Sequence, residues 1–193
     1  MFKFILLIAA VIFISCGHPE YKSPHVIIST RLGDIEVELY PDKAPKTAAA
    51  FLSNIDAGLY TKGSFYRVLK AEEFPTDLNT GIIQGGIYQA AGQLRPPLPG
   101  IAHESTQQSG LSHTDGIISM ARKDTGTATT EFFICIGNQS TLDFGKDGNS
   151  DGQGFAAFGK VFKGMNIVRK IQAQKSHADH FDQKIDIIEI KRL

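Results

Sequence analysis

The chain has 193 residues, 42% of them hydrophobic, and its 20 Lys and Arg residues balance its 20 Asp and Glu residues, so the formal net charge is zero. A neutral chain of this kind does not favour nucleic acid or anionic lipid as an electrostatic partner. Its length suits one domain with a full hydrophobic core.

The N-terminus has the pattern of a signal peptide. One cation, Lys3, precedes an apolar run over residues 4–14, which is long enough for a signal-peptide core and too short to span a bilayer. The run ends in FISCG at residues 13–17, which resembles the lipobox of bacterial lipoproteins, where cleavage leaves the cysteine as the lipid-modified N-terminus. We therefore predict a signal peptide over residues 1–15, lipidation of Cys16 and a membrane anchor in the bacterial cell envelope, on its periplasmic or outer-membrane side. An ordinary secretory peptide with an incidental cysteine is the alternative.

Residues 16–25 are predicted to form a lipidated cysteine and a short polar tether, and residues 26–193 the folded domain. The second cysteine, Cys135, lies in an apolar run and is expected to be buried as a small hydrophobic residue. If Cys16 is acylated, Cys135 has no partner for an intramolecular disulfide.

The first predicted elements are a hairpin and a helix. Val26–Ile28 and the alternating residues of 35–39 predict two strands, with Gly33–Asp34 at the tip of the hairpin. A helix is predicted over 44–57, with Pro45 in its first turn and Gly58 placed to end it. Its apolar stripe consists of Ala48, Phe51, Leu52 and Ile55.

Most of the remaining chain is predicted to be β-structure. Further strands contain Arg67, Gln84, residues 117–120 and residues 132–133. A second short helix is predicted over 164–173. The last strand, residues 184–191, shifts its alternation between Ile187 and Ile188, which indicates a β-bulge.

Arg67 is a charge in an apolar strand. It lies in the run 64–69, where alternation places it on the same face as Phe65 and Leu69, so its guanidinium needs polar partners. Two later strands each carry one polar residue on an apolar face, Gln84 and Glu131. If the three faces meet, they form an apolar pocket in which an amide and a carboxylate hold the arginine. A structural ion pair lining a barrel is the alternative.

Three metal-like patterns are incomplete. His103-Glu104 begins like a zinc-protease motif, but Gln107 occupies the place of the second histidine. Residues 147–152 match the first half of a calcium loop, but Phe158 occupies the position that requires a bidentate carboxylate. His177 and His180 have no third ligand nearby in the sequence. No metal or other cofactor is therefore expected, and a calcium-regulated envelope protein is a minor alternative.

Several segments together resemble the cyclophilin-type peptidyl-prolyl isomerases from about Val26 to Leu193. They occur in the family's order and comprise Phe65–Val68, Ile83–Gly86, Gly116–Ala121, Glu131–Ile134 and Phe158–Val161. The resemblance implies a mainly β fold, a closed eight-stranded antiparallel barrel capped by two α-helices. It also implies proline-containing polypeptides as partners, and the glycine-rich segment around Phe155 looks like a bacterial branch of the family. Nothing in the sequence indicates an oligomer interface, so a monomer is expected.

Functional residues follow from the same resemblance. Arg67 would be catalytic, Gln84 would orient it, and Glu131 would stand beside it in place of the family's glutamine. The departures from the family pattern at Gly81, Glu131, Thr141 and Phe155 suggest a differently shaped proline pocket and put sensitivity to cyclosporin-type inhibitors in doubt. The predicted substrate-binding residues are Phe65, Ile82, Ala121, Arg122, Phe133, Leu142 and Phe155.

The resulting hypothesis is a peptidyl-prolyl isomerase that assists the folding of envelope proteins. A carboxylate from Glu131 beside Arg67 would neutralise part of its field and lower the activity. A non-catalytic, proline-peptide-binding chaperone with the same fold is the alternative.

Overall fold

The computed structural model describes residues 21–73, 78–88 and 98–193 and shows a β-barrel with helices packed against it. Two short helical segments lie in the connections between strands. In chain order the elements are β1 (His25–Thr30), β2 (Gly33–Leu39), α1 (Pro45–Asp56), β3 (Ser64–Glu73), β4 (Leu78–Gly86), α2 (Thr106–Ser109), β5 (Ile117–Met120), β6 (Phe132–Ile136), a 3-10 turn (Ser140–Leu142), β7 (Ala156–Lys163), α3 (Met165–Gln172), β8 (Ser176–His177) and β9 (His180–Arg192).

Eight strands form a closed antiparallel ring. Their hydrogen-bonded order is β1-β2-β7-β5-β6-β4-β3-β9, and β9 pairs with β1 to close the barrel. The two-residue β8 pairs with β9 as a small hairpin beside the ring. The predicted fold, an eight-stranded barrel with two main helices, is confirmed.

Helices α1 and α3 lie close to the predicted ranges. Pro45 occupies the first turn of α1, where its missing N–H leaves no hydrogen bond unmade. Gly58 follows the helix with a φ of 65°, a left-handed conformation that glycine adopts at little cost. The predicted apolar stripe of α1 is buried, and its Phe51 ring packs 5.0 Å from Phe158 and 5.6 Å from Phe132 between ring centroids.

Glu104 caps the N-terminus of α1. Its carboxylate accepts hydrogen bonds from the backbone N–H of Lys46 at 3.1 Å and from the N–H and hydroxyl of Thr47 at 2.8 and 2.7 Å. A negative charge at a helix N-terminus is favourable because unpaired N–H groups point toward it. Glu104 of the His103-Glu104 pattern is therefore a structural cap, while His103 Nε2 lies 3.0 Å from the carbonyl oxygen of Gln153.

The tip of the first hairpin lies two residues before its predicted position. Thr30 pairs with Gly33, so the turn consists of Arg31 and Leu32, and the predicted Gly33–Asp34 tip is wrong. Gly33 has another role, since a Cβ on it would lie 2.6 Å from a methyl carbon of Ile167 in α3. Glycine at this position lets β2 and α3 approach closely.

The end of the barrel follows the sequence pattern. Ser29 pairs with Glu189 but Thr30 pairs with Ile187, so Ile188 is the extra residue of a bulge and is exposed. The predicted bulge is confirmed.

Cys135 is fully buried, as expected. Within the described ranges, no helix has the length and apolar character needed to cross a membrane.

Candidate active site

A groove of about 830 Å³ lies beside strands β3, β4 and β6. Its lining combines charged and amide groups with large apolar side chains. The polar members include Arg67, Gln84, Glu131 and Asp179, and the apolar members include Ile82, Phe133, Leu142 and Phe155. The structure thus brings nine of the ten predicted catalytic and substrate-binding residues to one groove, Ala121 and Arg122 among them. The tenth, Phe65, lies elsewhere.

A β-bulge in β3 separates Phe65 from Arg67. The register of β3 against both β4 and β9 shifts between these residues, so Tyr66 is an extra residue in the strand. Phe65 is fully buried in the core, where its ring lies 5.8 Å from that of Phe132, while Arg67 lines the groove. The predictions that Phe65 binds substrate and shares a face with Arg67 are wrong, because the bulge interrupts the two-residue period.

Two side chains hold the Arg67 guanidinium. Nε donates a hydrogen bond to Asp179 Oδ2 at 2.8 Å, and Nη1 donates one to Gln84 Oε1 at 3.2 Å. The predicted Gln84 contact is therefore present. The predicted pairing of Arg67 with Glu131 is wrong, since Asp179, 112 residues away in sequence, supplies the carboxylate.

Glu131 reaches the arginine only through two other side chains. The Tyr66 hydroxyl donates a hydrogen bond to Glu131 Oε2 at 2.7 Å and accepts one from Gln84 Nε2 at 2.8 Å. A hydroxyl has one proton, so a Tyr66 that donates to the carboxylate can only accept from Gln84. Gln84 must then present its carbonyl oxygen to Arg67. Glu131 therefore sets the orientation of the Gln84 amide.

The Glu131 carboxylate is half-buried and accepts several hydrogen bonds. The backbone N–H of Ile87 and the hydroxyl of Thr130 donate to Oε1 at 2.8 and 3.1 Å. Burial raises the pKa of this carboxyl, and the donors, Tyr66 first, oppose that shift. A Cβ on Gly86, whose φ is 148°, would overlap the carboxylate. The last glycine of the Gln-Gly-Gly segment thus makes room for Glu131.

An aromatic pocket adjoins these polar groups. The rings of Phe133 and Phe155 meet edge to face with centroids 5.3 Å apart, and Ile82 and Leu142 pack with them in one cluster. Edge-to-face packing is a favourable arrangement of two rings. The predicted pocket residues of β4, β6 and the 3-10 turn therefore meet as expected, and Phe155 joins them.

A buried histidine supports the pocket from behind, and the sequence analysis missed it. His113 stacks on Phe133 with ring centroids 5.8 Å apart; Nδ1 lies 2.6 Å from Asp143 Oδ1 and Nε2 3.1 Å from Ser119 Oγ. This order of groups is that of a serine hydrolase triad, but Ser119 is fully buried and no substrate reaches its hydroxyl. The three residues act as a structural brace. The sequence carries no signal of this burial, since His113 stands between the polar residues Ser112 and Thr114.

Arg122 joins the groove to the loop that carries the calcium-like pattern. Its guanidinium makes a two-pronged contact with Asp151 at 2.7 and 2.9 Å, donates to the carbonyl of Gly154 and lies 5.2 Å from the centroid of Phe155. Asn149 also hydrogen-bonds Gly154. The Asp151 carboxylate thus accepts hydrogen bonds from protein donors. The described ranges contain no cluster of three acidic, histidine or cysteine ligands.

Comparison with known proteins identifies the family. Residues 25–192 match the model of the cyclophilin type peptidyl-prolyl cis-trans isomerase/CLD family. Peptidyl-prolyl cis-trans isomerase A of Dickeya dadantii is 30% identical over 173 residues, which cover 88% of this chain and 83% of that protein. Isomerase B of Escherichia coli is 32% identical over 148 residues, covering 76% and 83%.

The fold agrees with solved structures. A cyclophilin type isomerase of Cryptosporidium parvum superposes with a TM-score of 0.69 at 24% identity, covering 88% of this chain and 97% of that one. The structure of that isomerase in the presence of the dipeptide Ala-Pro superposes with a TM-score of 0.67 at 25% identity, covering 86% of this chain and 96% of that one. Family model, relatives and fold agree, so the chain belongs to the cyclophilin-type peptidyl-prolyl cis-trans isomerases.

Proposed function

We propose that this isomerase acts on X–Pro bonds in proteins of the bacterial cell envelope, with Arg67 as the hydrogen-bond donor to the rotating amide. The observation that carries the proposal is an arginine held by two acceptors beside an apolar aromatic pocket. The pocket of Ile82, Phe133, Leu142 and Phe155 would take the proline ring.

Rotation about an X–Pro bond is slow because it breaks the partial double bond of the amide. As the amide twists, its nitrogen becomes pyramidal and recovers a lone pair. A donor beside that nitrogen stabilises the twisted state more than the planar one, which is the requirement for catalysis.

Arg67 meets this requirement without covalent chemistry. Nε and Nη1 are engaged by Asp179 and Gln84, and in the described part of the chain no acceptor is hydrogen-bonded to Nη2. That nitrogen is available to the substrate. The pocket would meanwhile hold the ring by apolar contact while the preceding residue turns.

Replacement of the donor tests the mechanism. We expect Arg67→Ala to lower kcat/KM by about a hundred- to a thousandfold, the usual loss for one preorganised donor. The rate is measured by NMR exchange spectroscopy on an Ala-Pro peptide. Arg169→Ala is the matched control, since Arg169 is also a half-exposed, ion-paired arginine but lies outside the groove. A folded Arg67→Ala protein that works at the wild-type rate would refute the role of Arg67.

The exchange measurement, combined with a calorimetric titration, separates the enzyme from a non-catalytic proline-peptide binder. Calorimetric titration of the peptide measures binding without reference to rate. A wild-type protein that binds the peptide but does not accelerate exchange would be the chaperone-like alternative.

The proposed location depends on Cys16. Its support is the lipobox-like sequence. At the start of the described chain, Tyr21 is packed against the barrel: its ring stacks on that of His25 with centroids 3.7 Å apart, and His25 Nδ1 lies 2.8 Å from Glu36 Oε1 of β2. Five residue steps separate Tyr21 from Cys16, a reach of at most about 18 Å. A lipid on Cys16 would therefore keep this end of the barrel close to the bilayer.

Fractionation of cells tests the anchor. We expect the wild-type chain in the membrane fraction, with a diacylglycerol mass on the peptide that begins at Cys16, and Cys16→Ser in the soluble fraction. Cys135→Ala is the control, because that thiol is buried in the barrel and should not change the fractionation. An unmodified Cys16 in the mature protein would refute the anchor.

A further inference from the structure

Asp179 is delivered to the groove by a tight turn. The turn Ala178–Asp179 joins β8 to β9, and Ala178 has a φ of 50°, a left-handed conformation that costs free energy for a residue other than glycine. The carbonyl of Asp179 accepts a hydrogen bond from the N–H of Val68 at 2.9 Å, directly after the β3 bulge. The turn is thus attached to the strand segment that carries Arg67.

Both carboxylate oxygens of Asp179 are engaged. Oδ2 accepts from Arg67 Nε at 2.8 Å, and Oδ1 lies 2.6 Å from His180 Nδ1. The hydrogen bond from Arg67, followed by that from His180, lowers the pKa of Asp179, so the carboxylate stays charged at neutral pH. Its position is therefore determined from two sides.

This ion pair is poorly placed to stabilise the fold. The side chains of Arg67 and Asp179 are 35% and 38% exposed, and pairs with such exposure contribute little to the free energy of folding. A strained turn that delivers a pair of this kind points to a role in function. The geometry supplies that role, because acceptors on Nε and on Nη1 restrict both the position and the rotation of the planar guanidinium.

We infer that Asp179 is a positioning residue for the isomerisation, holding the Arg67 guanidinium through Nε while Gln84 holds Nη1, so that the donor is already oriented when the prolyl amide twists. This inference rests on the proposed role of Arg67. A preoriented donor raises kcat, since no reorganisation is needed as the reaction proceeds, and leaves substrate binding nearly unchanged.

Three variants test it. Asp179→Ala removes the acceptor and should lower kcat by roughly ten- to a hundredfold, the usual effect of losing a hydrogen bond to a charged group, with KM nearly unchanged. Asp179→Asn keeps an oxygen acceptor and should recover most of the activity. Asp182→Ala, an exposed aspartate on the same hairpin and outside the groove, is the matched control and should match wild type.

NMR supplies the readout that a merely structural role would not change. The Nε–H chemical shift of Arg67 should differ from that of free arginine in the wild type and in Asp179→Asn. In Asp179→Ala it should move to the free-arginine value. The Val68 amide should stay protected from exchange in all variants, which shows that the turn is intact.

Two results would overturn the inference. One is a wild-type kcat for Asp179→Ala when Arg67→Ala is inactive. That result would keep Arg67 as the donor and show that Asp179 does not position it. The other is an equal loss of kcat in Asp179→Ala and Asp179→Asn. That result would show that the negative charge of Asp179 matters and its role as a hydrogen-bond acceptor does not. An active Arg67→Ala protein would instead refute the proposed function itself.

Discussion

Arg67 shows how one residue's chemistry depends on partners that its own strand does not supply. A guanidinium has five N–H donors in one plane, so its orientation is determined only when more than one of them is engaged. Gln84 and Asp179 engage two. The need for an amide partner was evident from sequence. An acidic partner was also predicted, but Glu131 was named in place of Asp179. Asp179 lies in a polar turn that contacts β3 only because β9 pairs with β3 in the folded barrel.

At the same scale, Glu131 acts through Tyr66. We expect Glu131→Gln to lower kcat/KM by about two- to tenfold, the value of one hydrogen bond, because a glutamine can donate as well as accept and so lets Tyr66 and Gln84 reverse their roles. Tyr66→Phe should cause a similar loss. The earlier expectation that Glu131 itself neutralises Arg67 no longer holds.

A double-mutant cycle distinguishes this relay from separate effects. If the relay is real, the Tyr66→Phe and Glu131→Gln changes combined lower kcat/KM no more than either alone. Losses that multiply would contradict it. The rates are measured on the same Ala-Pro peptide at one pH.

At the scale of elements, irregularities place the site. The bulge at Tyr66 turns Arg67 away from the barrel core and leaves Phe65 inside it. The bulge at Ile188 was foreseen because two consecutive apolar residues broke the alternation. The bulge at Tyr66 was not foreseen, since the run of phenylalanine, tyrosine, arginine and valine does not show which side chains face the core. Only the pairing of β3 with its two neighbouring strands reveals the extra residue.

The His113 brace predicts a pH dependence of stability. Burial lowers the pKa of His113, partly opposed by Asp143, so the folded protein keeps the ring neutral while the unfolded chain protonates it near its ordinary value, about 6.5. The unfolded state then binds more protons below that pH. Stability should fall as the pH drops from about 6.5 to 5, with a slope of at most about 1.4 kcal/mol per unit.

Denaturant unfolding at a series of pH values measures this slope. His113→Gln should be less stable at neutral pH, because it loses the contact with Asp143, but should show a shallower slope between pH 6.5 and 5. His177→Gln, at an exposed histidine of β8, is the control and should keep the wild-type slope. The same slope in all three proteins would show that His113 does not titrate as argued.

At the scale of the whole molecule, the aromatic core of the barrel lies apart from the groove. Phe51 packs against Tyr60, Phe132 and Phe158 and is fully buried. We expect Phe51→Ala to lower the free energy of unfolding by about 3–5 kcal/mol through the cavity it leaves. The folded fraction should keep its kcat, since none of these rings lines the groove.

Phe162→Ala is the control, because it removes the same side-chain atoms at an exposed position. Phe162 is 52% exposed on β7, so the same truncation should cost less than about 1 kcal/mol. Chemical unfolding followed by intrinsic fluorescence or circular dichroism measures both variants. Equal losses for the two phenylalanines would contradict the assignment of Phe51 to the core.

The sequence by itself determined the two main helices, the strands, the apolar pocket and the identity of Arg67 and Gln84 as partners, because each depends on local periodicity or on motifs in a familiar order. Only the tertiary structure decided which carboxylate holds Arg67, where Phe65 points and what supports Phe133. Those outcomes depend on the register between strands and on contacts across more than 100 residues of chain, such as Arg67 with Asp179, and no local pattern encodes them.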